Sequence, residues 1–363
     1  MAASFEVTVF RVWQKTKAPI CVLTLAILSL VILLTACGGG SAAPASTPPP
    51  PTVFSDYDLT GAITPVHDPS VIRQDNTYYV FGTDVGTPGG SLPILCSADR
   101  VAWTACGYVF SQIPQWVTLQ VPGVTGLWAP DISYFNGLYH VYYAGSTFGS
   151  NLSVIGFATN TTLDQTDPNY LWVDQGEVLA SVSTDDFNAI DPNILSDTDG
   201  SVWLTYGSFW SGIKQQQIDP TTGFLLGSNP TVYSLASRPN VQDDPIEASS
   251  LVHKGSYYYL FVSFDFCCNS NPYQDTYRIM VGRGTSPNGP FTDMNGTDMM
   301  QGGGTQLLSG NGTTWSGPGG QTAYLDSQNG DIIVFHAIQL PSGAPYLFVN
   351  SLTWPNDWPQ IQP

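Results

Sequence analysis

One pattern occurs five times along this chain: a tight polar turn followed by a short run of aromatic and β-branched residues. Asn-Gly and Asp-Gly pairs mark hairpins because both residues tolerate positive φ. Another short apolar run precedes each turn, and successive copies are roughly 55 to 75 residues apart, which is room for four strands. The turns are Asp75-Asn76, Asn136-Gly137, Asp199-Gly200, Lys254-Gly255 and Asn329-Gly330, followed by TYYVF, LYHVYY, SVWLTY, SYYYLFV and DIIVFH.

These repeats constrain the fold class. Radially repeated four-stranded units are typical of propellers, so five copies predict an all-β, five-bladed β-propeller. A β-sandwich also contains many short strands, but it does not require five matched hairpins at this spacing. No second linker follows residue 54, so residues 55–363 are predicted to form one domain.

The first 54 residues predict export. Three basic residues precede an uncharged apolar run that ends in Leu34-Thr35-Ala36-Cys37. This order is typical of a signal peptide, and its ending resembles the lipobox of bacterial lipoproteins, in which the cysteine is lipidated. We assign 1–37 to a lipoprotein signal peptide with lipidation at Cys37, and 38–54 to a Pro/Gly/Ser-rich linker. The protein would then be exported and lipid-anchored to the bacterial cell envelope; a transmembrane anchor is the alternative.

The charge balance excludes one class of partner. Only 10% of residues are charged and the formal net charge is −18. Phosphate backbones are bound by clustered Lys and Arg, so no nucleic-acid partner is expected. An acidic, aromatic-rich surface suits neutral polyhydroxylated ligands, and we expect a monomer.

Aligning the residues before each first strand reveals a set of carboxylates. The aligned position reads Asp68, Ala129, Asp191, Glu247 and Gly320. The innermost strands of a propeller line its axis, so equivalent positions lie at one end of the channel. Three carboxylates around one point repel each other, and such an arrangement is typical of a functional site.

Three such carboxylates suit the hydrolysis of a glycosidic bond. This reaction needs an acid for the leaving oxygen and a second carboxylate for water or for the sugar. Glu247 lies between Ile246 and Ala248, which could raise its pKa, so it is the predicted acid and Asp68 the predicted base. Asp191 would orient Glu247 and keep it protonated. An inverting arrangement predicts that the Asp68 and Glu247 carboxyl groups are roughly 6.5–9.5 Å apart.

The same residues carry a resemblance that spans nearly the whole predicted domain. The chain resembles the endo-1,5-α-L-arabinanases of glycoside hydrolase family 43. The matching segments are His67-Asp68-Pro69-Ser70, Trp128-Ala129-Pro130-Asp131-Ile132, Ser146 to Asn151 (STFGSN), Asn188 to Asn193 (NAIDPN), Tyr206 to Ile213 (YGSFWSGI), Ile246-Glu247-Ala248 and Phe264 to Cys268 (FDFCC).

The resemblance implies an inverting propeller enzyme acting on arabinan, with Asp68 as base, Glu247 as acid and Asp191 tuning the acid. Family binding positions would correspond to Gly149, Asn188, Ala189, Ile190, Ser208, Phe209 and Trp210. Trp128 and Trp210 are predicted sugar contacts because both lie in loops beside the axial position. His67 is a predicted substrate contact, with a turn role as the alternative, and His336 is expected in the core or at the rim.

The chain departs from the family at a metal position. Many members carry Gly-Pro-Gly-His in the fifth blade, where the histidine faces a metal that is often calcium. Here the string is Gly317-Pro318-Gly319-Gly320, so the axial histidine is absent from that position. We therefore predict no metal ligand and no certain cofactor, with calcium possible by resemblance only.

Four cysteines follow Cys37. Cys96 and Cys106 flank a hairpin-like stretch and could pair in an oxidising compartment. Cys267 and Cys268 are adjacent, and because successive strand residues face opposite ways, we expect two free thiols there.

Two alternatives to an endo-acting arabinan hydrolase remain open. One is a relative acting on other pentose linkages, such as an exo-acting α-L-arabinofuranosidase or a β-xylosidase. The other is a surface propeller that binds glycan without cleaving it. Three clustered carboxylates argue against the second, because a binding module has no need of them.

Overall fold

The computed structural model describes residues 52–53, 59–86 and 89–362. The predicted signal peptide, Cys37 and nearly all of the predicted linker lie outside the described residues. Two short strands come first, β1 (Thr52–Val53) and β2 (Thr60–Gly61). Within the described residues no helix is both long and apolar enough to cross a membrane.

Each of five sheets follows the same up-and-down order from the axis outwards. Blade 1 contains β3 (Ser70–Gln74), β4 (Thr77–Phe81), β5 (Ser91–Ser97) and β6 (Ala102–Phe110). The short helix α1 (Gln115–Gln120) leads to blade 2, with β7 (Leu127–Phe135), β8 (Leu138–Gly145), β9 (Ser153–Asn160) and β10 (Val173–Ser181). Blade 3 contains β11 (Asn193–Ser196), β12 (Val202–Tyr206), β13 (Ile213–Ile218) and β14 (Tyr233–Ala236).

The last two blades complete the ring. Blade 4 contains β15 (Ile246–Lys254), β16 (Tyr257–Phe264), β17 (Arg278–Gly284) and β18 (Thr305–Ser309). Blade 5 contains β19 (Trp315–Tyr324), β20 (Ile332–Gln339), β21 (Pro345–Thr353) and β22 (Gln360–Gln362). All five predicted turns join the first strand of a blade to its second, so the prediction of a five-bladed propeller is confirmed.

The N-terminal strands attach to the outer edges of two blades. β1 pairs in parallel with β18, and β2 pairs in parallel with β6. Residues 63 to 66 then run beside blade 5, where Leu347 donates its N–H to the Ile63 carbonyl at 2.8 Å and Val66 donates to the Pro345 carbonyl at 3.1 Å. This segment therefore ties the first blade to the last.

The hydrophobic core is divided among the five blade interfaces. The described residues form five buried clusters, and each combines side chains from two neighbouring blades. The cluster between blades 5 and 1 joins Val71 and Val80 to Val334 and Leu347, which closes the ring. Because sheets stack face to face around the axis, each blade is buried on both faces, and the second strand of each blade is apolar or aromatic at most positions.

A chain of hydrogen bonds links the innermost strands near the axis. At all five interfaces, a side chain of one blade accepts a backbone N–H of the next; between blades 5 and 1, Tyr324 Oη accepts from Arg73 at 3.3 Å. Ser70 Oγ accepts from Ile132, Asp131 Oδ2 from Ile194, Asn193 Oδ1 from Leu251, and Ser250 Oγ from Ala323, at 2.8 to 3.1 Å. Asp131 also accepts from Asn193 Nδ2 at 2.8 Å and from Ser70 Oγ at 3.3 Å. Burial raises the pKa of Asp131 to about 7, although these donors favour its charged form.

The substitution Asp131→Ala tests this chain of hydrogen bonds. It removes the acceptor of three buried donors, each costing about 1–3 kcal/mol when left unpaired. We expect a fall in the thermal unfolding midpoint of at least about 5 °C for a domain of this size. The control Glu177→Ala removes an exposed carboxylate of β10 and should leave the midpoint nearly unchanged. An equal effect of both substitutions would contradict the structural role of Asp131.

Candidate active site

Five residues with left-handed backbone surround the axis at the start of the innermost strands. They are Asp68 (φ 45°), Ala129 (φ 44°), Asp191 (φ 55°), Ala248 (φ 53°) and Gly320 (φ 56°). All five line one narrow axial space of about 30 Å³. The predicted alignment was therefore wrong by one residue in blade 4, where Ala248 and not Glu247 is the equivalent of Asp68. Glu247 precedes this position, as His67 does in blade 1 and Trp128 in blade 2, and all three inner strands that contain Trp128, Glu247 and Gly319 have an irregular register just after these residues.

Asp68 is held by three side chains. Its Oδ2 lies 2.8 Å from His67 Nδ1 and accepts a hydrogen bond of 2.7 Å from Thr83 Oγ1. Its backbone N–H donates to His336 Nδ1 at 3.1 Å, and the His336 ring stacks on His67 with centroids 3.7 Å apart. Thr83 also accepts the Ala129 N–H at 2.7 Å, so one hydroxyl connects Asp68 to blade 2.

This environment favours a charged Asp68. Burial alone would raise its pKa, but His67, His336 and Thr83 together hold the pKa well below its usual range. Burial opposes a charge on His67, yet the adjacent Asp68 carboxylate outweighs it and raises the pKa of His67. Burial lowers the pKa of His336 to about 3, with His67 acting in the same direction. The stacked pair therefore combines a neutral ring with one that readily becomes charged.

Glu247 accepts hydrogen bonds from two hydroxyl groups. Ser208 Oγ donates to its Oε2 and Tyr277 Oη to its Oε1. Burial raises the pKa of Glu247, the two hydrogen bonds act against this rise, and the nearby Asp68 carboxylate adds to it. Glu247 can therefore hold a proton at a pH where Asp68 has none.

Asp191 lies close enough to Asp68 and Glu247 to be repelled by both carboxylates. Burial raises its pKa well above the usual value, and repulsion from Glu247 and Asp68 raises it further. Its Oδ2 accepts the Ala248 N–H at 3.0 Å, which ties it to the residue that follows Glu247. The structure therefore brings together Asp68, Asp191 and Glu247, although they come from three blades.

His336 occupies the space that a side chain at position 320 would need. A Cβ on Gly320 would collide with Asp68 Oδ1 and lie 2.8 Å from His336 Nδ1. Gly319 pairs with His336 across β19 and β20, so the imidazole projects over a glycine. Position 320 carries no histidine, as the sequence indicates, and His336 is buried, as expected for a core position; β20 nevertheless places its ring beside Asp68 and so supplies an imidazole near the axis. A strand histidine opposite a Gly-Gly pair is the sequence signal that would have identified it.

The donor set does not form a calcium cage. Calcium takes six to eight oxygen ligands, whereas the axial group of His67, Asp68 and His336 offers one carboxylate and two imidazoles. Asp68 Oδ2 is already engaged by His67 and Thr83. His336 Nε2 is buried without a hydrogen-bond partner, but it carries the proton of the neutral ring when Nδ1 accepts from Asp68. Holding an ion there requires the other tautomer and water for most of the ligands.

Four predicted sugar contacts lie at or near the surface. Trp128 is half-buried at the position that Glu247 occupies in blade 4, and Gly149 is exposed. Trp210 is 39% exposed and follows the half-buried Phe209. Both residues have left-handed backbone, in a loop where Phe209 donates its N–H to the Ile246 carbonyl at 2.9 Å. This loop also contains Ser208, which donates a hydrogen bond to Glu247. The same segment therefore exposes aromatic side chains and positions Glu247.

The other predicted contacts are buried. Asn188 accepts from Ser153 Oγ at 2.7 Å, and the Ala189 N–H donates to Ser181 Oγ at 2.9 Å. Ile190 is 7% exposed, and its carbonyl accepts the Gly207 N–H at 2.9 Å. These three residues support the segment that ends in Asp191, and the hydrogen bonds they make here are all within the protein.

Two disulfides are present among the described residues. Cys96 pairs with Cys106, a pairing that the sequence left open. Cys267 pairs with Cys268, so the expectation of two free thiols was wrong. The alternation of strand side chains does not apply there, because both residues lie in the loop between β16 and β17 and Cys268 has a φ of 66°.

Comparison with known families agrees with this geometry. The model of the glycosyl hydrolases family 43 matches residues 63–359, which includes all five blades. The chain belongs to this family. It is a glycoside hydrolase, and the three carboxylates lie within the matched region.

Several members of glycoside hydrolase family 43 resemble this chain in sequence and in structure. The extracellular endo-α-(1→5)-L-arabinanase 1 of Bacillus subtilis is 43% identical over 296 residues, covering 81% of this chain and 87% of the relative. The extracellular exo-α-(1→5)-L-arabinofuranosidase of Cellvibrio japonicus is 38% identical over 307 residues, covering 82% and 86%. The structure of an endo-arabinanase from Bacillus licheniformis has a TM-score of 0.75 and 44% identity, covering 84% of this chain and all of the other.

Gly320→Ala tests the crowding around Asp68 in this glycoside hydrolase. The new methyl group would displace Asp68 or His336, so we expect at least a tenfold loss of glycosidase activity in a folded protein, because misplacing a reacting group by about 1 Å can cost a hundredfold. The control Gly137→Ala has a similar positive φ of 77° and nothing within 4 Å of the added carbon. Equal activity in the two variants would contradict the proposed crowding.

Proposed function

We propose that this protein is an endo-acting arabinan hydrolase that cleaves α-1,5-L-arabinofuranosidic linkages with inversion. One observation carries the proposal. Two carboxylates with opposed environments, Asp68 and Glu247, face a third, Asp191, in a chain that belongs to glycoside hydrolase family 43. The names of the Bacillus relatives support arabinan as the substrate and an endo mode of cleavage.

The environments of the carboxylates support distinct roles. Pairs of acids whose surroundings push their pKa values apart are typical of acid–base catalysis. Asp68, paired with His67, stays ionised and is the proposed base. Glu247, whose pKa is raised by burial, is the proposed acid. Asp191 adds negative charge near Glu247 and fixes the backbone of Ala248, so it is the proposed residue that tunes and orients the acid.

In the proposed reaction, Asp68 takes a proton from water as the water oxygen attacks the anomeric carbon. Glu247 gives its proton to the glycosidic oxygen as the carbon–oxygen bond breaks. Both groups return to their starting states by proton exchange with solvent. The separation of roughly 6.5–9.5 Å between the Asp68 and Glu247 carboxyl groups stays a prediction.

These proton transfers use only groups of this chain, and the donor set around Asp68 does not suit calcium. The chain itself already places His67 against this carboxylate.

An exo mode of cleavage is the second candidate, since the Cellvibrio japonicus relative is named an exo-acting enzyme. The two modes differ in products from linear arabinan. Endo cleavage releases a range of oligomers early, whereas exo cleavage releases monomer or one short product from the start. A time course of products, with and without a chelator, distinguishes the modes and also tests for metal dependence.

We further propose that the protein is exported to the cell envelope and anchored there by a lipid. The extracellular relatives support export, and the Leu-Thr-Ala-Cys string supports lipidation at Cys37. Labelling of the wild type but not of Cys37→Ser with radioactive palmitate would support the anchor. Labelling of both, or of neither, would contradict it.

Asp68→Asn and Glu247→Gln test the proposed base and acid. Each preserves the shape of the side chain and removes its proton-transfer capacity, which typically contributes 10²–10⁴-fold. We expect the initial rate on debranched arabinan to fall at least about a hundredfold, with binding of the polymer retained. The control Glu177→Gln changes an exposed glutamate and should keep the wild-type rate. A wild type that binds arabinan but releases no sugar would favour the non-catalytic alternative.

Ser208→Ala tests the assignment of Glu247 by pH dependence. The Ser208 hydroxyl favours the carboxylate form, so its removal should raise the pKa of Glu247 further. An acid must be protonated, so activity falls as pH rises through its pKa. We therefore expect the alkaline limb of the kcat/KM profile to move to higher pH.

The matched control for this pH shift is Ser249→Ala, whose hydroxyl donates to Thr205 Oγ1 at 3.0 Å and not to Glu247. Its alkaline limb should stay in place. A shift of the Ser208→Ala limb to lower pH would contradict Glu247 as the acid.

A further inference from the structure

The Cys267–Cys268 disulfide lies at the mouth of the candidate active site. It belongs to the loop that joins β16 to β17, and Cys268 is exposed while Cys267 is half-buried. The other described disulfide, Cys96–Cys106, joins the two outer strands of blade 1. The described residues therefore include one disulfide at the site and one that can serve as a control.

The disulfide touches the histidine that holds the proposed base. Cys268 Sγ lies 3.6 Å from His67 Nε2, and His67 Nδ1 lies 2.8 Å from Asp68 Oδ2. A disulfide sulfur carries no proton, so it can only accept, and the same holds for the Asp68 carboxylate. A ring with protons on both nitrogens satisfies both neighbours, in agreement with the raised pKa of His67. A thiol at Cys268 could donate instead and would remove this preference.

The same loop ends at the tyrosine that holds the proposed acid. The Phe266 carbonyl accepts the N–H groups of Thr276 at 2.8 Å and Tyr277 at 3.1 Å. Beyond the disulfide, the Asn269 N–H donates to Asp275 Oδ1 at 2.8 Å. The disulfide thus lies between two cross-loop contacts, and Tyr277 Oη donates to Glu247.

We propose that the Cys267–Cys268 disulfide is a positioning element of the active site, which fixes His67 against Asp68 and Tyr277 against Glu247. Hydrolysis then depends on its oxidised state. This inference rests on the proposed roles of Asp68 and Glu247.

The backbone gives the physical reason. Cys268 has a φ of 66°, a region that residues with a Cβ rarely adopt. The disulfide closes a small ring around the peptide bond between the two cysteines and prevents Cys268 from leaving this conformation. Once the ring is open, Cys268 can return to negative φ and carry its sulfur away from His67.

Opening the bond is a two-electron reduction. A small dithiol such as dithiothreitol gives two electrons and two protons to the disulfide, which yields two protein thiols, while the dithiol becomes a cyclic disulfide. The reverse reaction needs a disulfide oxidant, such as oxidised glutathione.

The test uses the full chain and two double variants on linear arabinan. Cys96→Ser with Cys106→Ser keeps only the disulfide at the site and should match the wild-type kcat when oxidised. After dithiothreitol, with two new thiols confirmed by titration, its kcat should fall at least tenfold with KM changed less than threefold. Oxidised glutathione should restore it. The site variant, Cys267→Ser with Cys268→Ser, should have a low kcat that dithiothreitol does not change.

Unfolding midpoints separate positioning from a merely structural role. The reduced protein should remain folded at the assay temperature while its kcat is low. Loss of activity that follows loss of the folded state overturns the proposal, and so does a site variant with wild-type kcat. A wild type inactive on arabinan in its oxidised state would instead contradict the proposed function, so the two failures are distinguishable.

Discussion

The structure depends on the way in which each innermost strand begins beside the axis. One left-handed residue turns the chain into the strand, and in blades 1 to 4 a polar side chain two residues later accepts a backbone N–H of the next blade. These hydrogen bonds fix the register between neighbouring blades beside the axis. The five buried clusters then stabilise the blades further from the axis. The axial geometry is therefore set by hydrogen bonds and the bulk of the ring by burial.

The candidate active site uses the same five-fold positions with different side chains. Blades 1 and 3 place Asp68 and Asp191 at the left-handed position, whereas blades 2, 4 and 5 have Ala129, Ala248 and Gly320. The small residues leave room for groups that arrive from elsewhere: Glu247 from the preceding residue, and His336 over Gly320. Carboxylates that repel one another can converge because each lies near donors, and because His67 offsets the charge of Asp68.

Much of this could be predicted from the sequence, because turns and apolar runs are local signals. The five Asn-Gly-type turns identify the blades, and the residues before the first strands identify Asp68 and Asp191. The one-residue offset of Glu247 was missed because Ser249 stands where blades 1 to 3 have a proline directly after the left-handed residue. His336 and Tyr277 were missed because each looks like an ordinary strand or core residue. Their roles depend on which side chains lie opposite them across a strand pair or a loop.

The central claim is that Asp68 and Glu247 act on opposite sides of one sugar ring, as base and acid. Proton NMR of the anomeric signals during the first turnovers on linear arabinan tests it most directly. Inversion at an α-linkage gives new reducing ends in the β form first, and the α form then appears by mutarotation. Reducing ends that appear first in the α form would show retention and would contradict the account.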